Sequence, residues 1–372
     1  MQNILYVHLL PALVAGGVSL LVALLLVLTK HLHGRFSMDS CLGVQKFHIN
    51  PTPRVGGITI AAGSLMGYLF AEPSVQTLLG PLVLAGIPAF AIGLLEDVTK
   101  RVKIRTRLLT TMSCSILGWA LTGYSITATN VPGLDLLLGF TAISVSFTSF
   151  AVGGVANAIN IIDGFHGLAS GVIIIIIISL SLIAAVLGDT SLVFTSLVMA
   201  GAVVGFLLVN WPFGKLFLGD GGAYYIGFAV AWLAVLLLAR HHEVSAWAPL
   251  LVSSYPILEV GFSFLRKSKR VGYHPSQPDR LHLHMLMHRR LARRFYPRFD
   301  KTLQNGLTSP FSWAFALVPA SWAVVFYHNT PVLVLGFAIT IALYWVLYLR
   351  LTQFRWCLMP RSQKSKLREE FV

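Results

Sequence analysis

LASGVIIIIIISLSLIAAVL, residues 168–187, runs for twenty residues without a charge. A helix rises about 1.5 Å per residue, so about 20 residues cross a bilayer core of roughly 30 Å while bonding their own backbone groups. Working outward from this stretch, ten more of the same kind lie at 9–29, 57–72, 77–95, 108–124, 137–157, 191–209, 222–239, 246–265, 311–328 and 331–349. The expected fold is therefore an all-α integral membrane protein with about eleven transmembrane helices. The stretch at 9–29 is too long, and too weakly flanked by N-terminal positive charge, to read as a cleaved signal peptide, and it counts as a span. Composition agrees, with 56% of the 372 residues hydrophobic and only 11% charged, a balance far from that of a soluble domain.

Charge sets the expected orientation. If eleven spans alternate from an N-terminus outside, the segments 30–56, 96–107, 158–167, 210–221, 266–310 and everything from 350 share one side, and they hold 27 of the 28 Lys and Arg. Only Arg240 falls opposite. Cytoplasmic loops carry the Lys/Arg excess, so the N-terminus is expected in the periplasm and the C-terminus in the cytoplasm of a bacterial inner membrane. The net charge of +14 is then an orientation signal plus attraction to the headgroups of membrane lipids, and no motif points to nucleic acid. No linker or internal repeat divides the chain, which reads as one membrane domain over 1–350 with a basic cytoplasmic tail at 351–372. Cys41, Cys114 and Cys357 have no metal-like spacing and imply no disulfide. The inward segment 266–310 contains HLHMLMHRRLARRFYPR (282–298), whose mixture of apolar side chains and Arg fits a short interfacial helix, or a basic loop that only serves orientation.

Six of the fourteen acids, Asp39, Glu96, Asp97, Asp163, Asp220 and Asp279, sit in or beside five of the inward segments. One such acid is readily explained by a local Lys or Arg. Five segments together suggest metal or phosphate chemistry, because a hard divalent cation needs carboxylate oxygens. Glu96-Asp97 are adjacent carboxylates at a span end, and they repel unless a cation or basic neighbours offset them; Lys100, Arg101, Lys103, Arg105 and Arg107 follow. In NAINIIDGFHGL (157–168) the spacing of three lines up Asn157, Asn160 and Asp163 on one stripe, before Gly164 and Gly167 turn the chain into a loop that can approach a ligand closely. Helix packing through the Asn side chains is the plainer account. FLGDGG (217–222) sets Asp220 among glycines at a helix start, suited to a metal-bound phosphate or, more plainly, to an N-cap. DRLHLH (279–284) brings Asp279, Arg280, His282 and His284 together; the two His would face the same way in a strand but not in a helix, and the set suits phosphate oxygens.

In this order the segments resemble the polyprenyl-phosphate N-acetylhexosamine-1-phosphate transferase family, which includes phospho-MurNAc-pentapeptide transferase and the initiators of O-antigen and enterobacterial common antigen. The resemblance runs from about Gly34 to Leu286 and is carried by HINPTPRVGG (48–57), GLLEDVTKR (93–101), NAINIIDGFHGL (157–168), FLGDGGAYYIG (217–227), PILEVGFSFLRKSKR (256–270) and DRLHLHML (279–286). It implies attack by undecaprenyl phosphate on the β-phosphorus of a UDP-N-acetylhexosamine, with release of UMP and with Mg²⁺ as cofactor, Mn²⁺ being a substitute. It implies a metal-binding, catalytic Asp220, with Glu96 and Asp97 as the acidic pair near the attacking phosphate. His48 and Arg54 then belong to a basic substrate motif, Asn157 to Leu168, with Asn160, Asp163 and Gly164, to a nucleotide-binding loop, and Asp279, Arg280, His282 and His284 to a phosphate-contacting motif. A homodimer is compatible with it.

Four positions depart from the family pattern. Glu96 stands for a usual Asp, His166 for a polar Asp or Asn, Met285 for a further His, and Glu259 for a typical Asp. PTPR and DRLHLH look more like the polysaccharide-initiating branch, with phospho-MurNAc-pentapeptide transferase as the rival enzyme. A transporter or lipid-carrier flippase is the rival class; it would spread charge through the spans and over both faces, whereas these acids gather at one.

Overall fold

The computed structural model describes residues 2–39, 51–268 and 280–353, with side chains from Leu9 onward. His48, Asp279, Cys41, Cys357 and most of the basic tail lie outside the described residues. Of the described residues, 80% are helical. Helices α1 (Gln2–Leu28) and α2 (Lys30–Ser37) lead to a two-residue strand, β1 (Met38–Asp39), paired antiparallel with β2 (Thr52–Pro53). There follow α3 (Gly57–Phe70), α4 (Pro73–Thr99), α5 (Ile104–Thr122), α6 (Leu134–Leu138), α7 (Thr141–Ile162), α8 (Leu168–Val186), α9 (Thr190–Asn210) and α10 (Gly219–Arg240). The chain closes with α11 (Trp247–Val252), α12 (Ser254–Ser268), α13 (Leu283–Met287), a wide π-turn at His288–Ala292, α14 (Arg293–Phe295), α15 (Lys301–Gly306), α16 (Ser309–Val325) and α17 (Thr330–Thr352).

All eleven expected stretches fall on helices. Seven helices among the described residues, α1, α4, α7, α8, α9, α10 and α17, are long and apolar enough to cross a membrane. The remainder are shorter or more polar: α3 has 14 residues and α16 has 17, while α5 opens on Ile-Arg-Thr-Arg. The stretch expected as one span at 246–265 is two helices that meet at Ser253. Pro256 explains the break, since it has no N–H to give the carbonyl of Val252, where α11 ends.

The centre is α10. It packs on α3, α4, α5, α7 and α8, and Tyr224, Tyr225, Phe228 and Trp232 along it are fully or almost fully enclosed. Helices in lipid gain little from hydrophobicity when they meet one another, so close approach through small residues has to supply the packing. That device joins α1 to α3 and α9: a Cβ built on Gly205 would lie 2.2 Å from the Gly16 carbonyl oxygen, and one on Gly201 2.3 Å from that of Ala12.

Gly205→Leu is expected to force α9 off α1 and destabilise the fold by about 1–3 kcal/mol or more, the range for overpacking. Gly17→Leu, where a Cβ meets nothing within 4 Å, should leave the melting transition in detergent nearly unchanged. Equal melting temperatures for the two variants would contradict this packing.

Candidate active site

The N-terminus of α10 is held by another helix. Asp97, in the last turn of α4, accepts hydrogen bonds from the backbone N–H groups of Asp220 and Gly221, both at 2.9 Å. These donors have no partner inside the helix, and a carboxylate also complements the positive end of the helix dipole. Such closeness demands glycine. Gly219 has φ +74°, and a Cβ there would lie 2.6 Å from both Asp97 Oδ2 and the Arg54 carbonyl oxygen. The preceding loop is strapped to the β2 segment: Gly56 and Gly57 donate to the carbonyls of Phe217 and Leu218, and Phe217 donates to that of Pro53. Those straps carry Arg54 to the site.

Asp220 is not an N-cap. With Asp97 doing the capping, its own carboxylate is turned to Arg54, whose Nη2 is 2.5 Å from Oδ1, to Asn160, whose Nδ2 donates to Oδ1 at 3.0 Å, and to Arg107, which pairs with Oδ2. Arg54 also reaches Asp97, Nε to Oδ1 at 3.3 Å. Only 3% of the Asp220 side chain and 1% of the Asp97 side chain are exposed. Unpaired charges at such depth would cost several kcal/mol each, so the two guanidiniums are required by the two acids. Arg107 lies over the Tyr224 ring, 5.6 Å from its centre. Sequence reasoning placed it only among five loop cations, and nothing in its spacing singled it out.

The Asn157, Asn160, Asp163 stripe lies along the start of α10. Tyr224 Oη donates to Asn157 Oδ1 at 3.4 Å, Asn160 meets Asp220, and Asp163, at the end of α7, accepts from the Gly219 N–H. Glu96 does not join Asp97. One position earlier on the helix it points elsewhere, its Oε2 accepting from the Val102 N–H at 2.6 Å and closing the turn after α4.

The loop from Asp163 to Gly167 is pinned from behind. Asn305 Oδ1 accepts from the His166 N–H at 2.9 Å, Asn210 Oδ1 accepts from the Gly167 N–H at 2.6 Å, and Ser309 Oγ donates to the His166 carbonyl at 2.6 Å. Asn210 and Asn305 are far from the motifs in sequence and carried no signal there. His166 is buried beneath the Gly214 turn, its Nδ1 3.1 Å from the Pro212 carbonyl and its ring stacked on Phe217. This chain therefore uses that position to brace the loop leading to Asp220. Leu168 is fully buried at the head of α8.

On the other side of this loop stand His282 and His284, their rings stacked 5.3 Å apart at 14°. They face together although a helix starts between them, because His282 is still extended, with ψ 149°, when α13 begins. Their Nδ1 atoms lie 3.1 and 3.2 Å from the two oxygens of Glu259. Gly164 abuts this pair, since a Cβ on it would be 3.5 Å from His284 Nε2. Arg280 is exposed, and its carbonyl accepts from Arg289. The segment read as an interfacial helix is buried from Leu283 to His288 and exposes Phe295, so its first half is part of the protein core.

Among the described residues no group of three His, Cys, Asp or Glu forms a ready cage for a metal. Mg²⁺ needs none: it keeps several waters and takes one or two carboxylates together with substrate phosphates. Asp220 and Asp97, with the Asn160 amide beside them, fit that requirement.

Burial pushes the Asp163 carboxyl up to about 6, against the opposing effects of the Arg54 charge and the Gly219 N–H. A carboxyl whose pKa is raised by folding binds its proton more tightly in the folded state, so its contribution to stability grows as pH falls through about 6 and levels off below its ordinary value of 3.8. Without added metal, wild type should gain thermal stability relative to Asp163→Asn between pH 7.5 and pH 5. Parallel melting curves across that range would refute the assignment.

Comparison with known proteins agrees with the motifs. Residues 79–238 match the glycosyl transferase family 4 model. The probable undecaprenyl-phosphate N-acetylglucosaminyl 1-phosphate transferase of Bacillus subtilis (strain 168) is 27% identical over 250 residues, 67% of this chain and 68% of that protein. The undecaprenyl-phosphate alpha-N-acetylglucosaminyl 1-phosphate transferase of Escherichia coli (strain K12) is 27% identical over 251 residues, 66% of this chain and 67% of that protein. A phospho-N-acetylmuramoyl-pentapeptide-transferase of Clostridium perfringens is 29% identical over 196 residues, 50% of this chain and 61% of that protein. The chain is thus similar to relatives named as polyprenyl-phosphate hexosamine-1-phosphate transferases, and its residues 79–238 match the glycosyl transferase family 4 model.

Proposed function

We propose that this chain is an Mg²⁺-dependent enzyme of the bacterial inner membrane that transfers N-acetylhexosamine 1-phosphate from a UDP-sugar to undecaprenyl phosphate, the first step in building a lipid-linked surface polysaccharide. The observation that carries the proposal is the enclosed cluster of Arg54, Asp97, Arg107, Asn160 and Asp220 beside the 163–167 loop and the histidine pair. An oxygen of the lipid phosphate attacks the β-phosphorus, the bond from that phosphorus to the bridging oxygen breaks, and UMP leaves with the electron pair. Such a reaction asks the protein for positioning and for neutralised phosphate oxygens. Arg54 and Arg107 supply positive charge at the meeting point of two anions. The 157–168 segment is suited to hold the nucleotide, and His282 and His284 to meet its diphosphate. Asp220 and Asp97 would hold Mg²⁺, which when bound would supply positive charge against phosphate oxygens. The two longer alignments, to relatives named for N-acetylglucosaminyl 1-phosphate transfer, favour UDP-N-acetylglucosamine as the first donor to try.

Purified protein given undecaprenyl phosphate, Mg²⁺ and a panel of UDP-sugars should release UMP with at least one sugar; none with any sugar, including UDP-MurNAc-pentapeptide, would refute the proposal. Asp220→Asn should keep a cooperative melting transition but lower turnover by orders of magnitude, because an amide cannot replace a carboxylate facing a dication and two guanidiniums. Near-normal UMP release across an Mg²⁺ titration would remove Asp220 from the chemistry.

We further propose eleven spans with the site facing the cytoplasm, a reading supported by the 27 of 28 Lys and Arg on one side. A reporter fused after Val372 should behave as cytoplasmic and one inserted beside Arg240 as periplasmic. The reverse pattern would overturn the orientation.

A further inference from the structure

We infer that Glu259 is a positioning residue: a single buried carboxylate that fixes the protonated nitrogen of both His282 and His284 and so sets the orientation of the pair beside the loop taken here to hold the nucleotide diphosphate. Glu259 lies in α12 and is fully enclosed. Its Oε2 accepts from the Leu283 N–H at 3.3 Å and stands 3.1 Å from His282 Nδ1. Its Oε1 accepts from the His284 N–H at 3.3 Å and from the Tyr255 hydroxyl at 3.4 Å, and stands 3.2 Å from His284 Nδ1.

An ionised carboxylate only accepts hydrogen bonds, so with Glu259 between them each ring must carry a proton on Nδ1. The same oxygens cap the first N–H groups of α13, which ties the start of the helix to the rings it bears. The two rings are stacked, and His284 Nε2 lies beside Gly164. The longer arm of Glu, where Asp is typical of the family, lets a carboxylate on α12 span both rings and both backbone donors. Glu259 itself is fully enclosed with an oxygen on each ring, so it acts through them.

This inference rests on the transferase reading for its ligand but not for its geometry, and the test separates the two. Protein labelled with ¹⁵N-histidine is placed in lipid bilayers, and solid-state spectra report the tautomers, with His282→Phe and His284→Phe providing assignment. Both rings of the wild type should carry their proton on Nδ1. Either of them holding a lone proton on Nε2 overturns the inference without any further variant. In Glu259→Gln the amide offers one acceptor and one donor, so at least one ring should switch tautomer, and Glu259→Asp should restore Nδ1–H on at least one. Unchanged tautomers in the Gln variant would also overturn it.

In UMP-release assays, Glu259→Gln should raise KM for UDP-N-acetylglucosamine about tenfold, as expected for loss of a partner that orients a histidine, while KM for undecaprenyl phosphate stays within about twofold. Glu259→Asp should recover part of the loss. Equal increases in both KM values would mean general damage and count against positioning. If the wild type releases no UMP from any sugar, the transferase reading fails, and the tautomers alone decide the role of Glu259.

Discussion

The carboxylate of Asp97 on the second and third N–H groups of the central helix is the contact on which the site depends. It joins the end of α4 to the beginning of α10 within hydrogen-bonding distance, and it leaves no room for any side chain at Gly219. Because α10 is enclosed by α3, α4, α5, α7 and α8, a helix start fixed there is fixed relative to the whole bundle. Asp220, the next residue, inherits that precision. With the helix start capped by Asp97, the Asp220 carboxylate is turned to the two guanidiniums and to Asn160.

Around this contact the charges are matched rather than accumulated. Two arginines from different segments, one beside β2 and one in the first turn of α5, close on two acids. The histidine pair repeats the pattern with the roles reversed, two rings closing on one carboxylate. Between the two groups runs a loop fastened by Asn210, Asn305 and Ser309. The site is thus assembled from segments spread over most of the chain, and each is locked by a partner distant in sequence. Such buried polar networks are costly unless every member is satisfied, and they favour one arrangement over its competitors.

Much of this was legible in the sequence because lipid leaves so few choices. An apolar run of about 20 residues has to be helix, and acids in such a chain are rare enough to be considered one at a time. The resemblance from motifs such as FLGDGG and NAINIIDGFHGL was sound, and the stripe of Asn157, Asn160 and Asp163 lies along α10. What was not legible depends on direction. Glu96 and Asp97 are neighbours in sequence, but a helix turns about 100° per residue, so one faces Asp220 and the other its own loop. Arg107 looked like any loop cation until α5 placed it on Tyr224. His166 looked like a changed ligand contact until the Gly214 turn was seen lying over it. The stretch 246–265 read as one span because apolar periodicity does not register the donor that Pro256 lacks.

The far end of α10 bears on how such a protein can work. Arg240, in its last turn, donates to both oxygens of Asp189 at 2.6 and 3.0 Å, and His241 joins them at 2.9 Å. At its positive pole the helix is held by a carboxylate of α4, and at its negative pole its own Arg240 grips Asp189 at the head of α9. A shift of α10 along its axis by a single residue, about 1.5 Å, would break both sets of contacts at once. The helix behaves as a strut clamped at its two ends, and alternating access through the middle of the bundle would need that strut to slide or rock. A bundle braced in this way holds both ends of its central helix in one register.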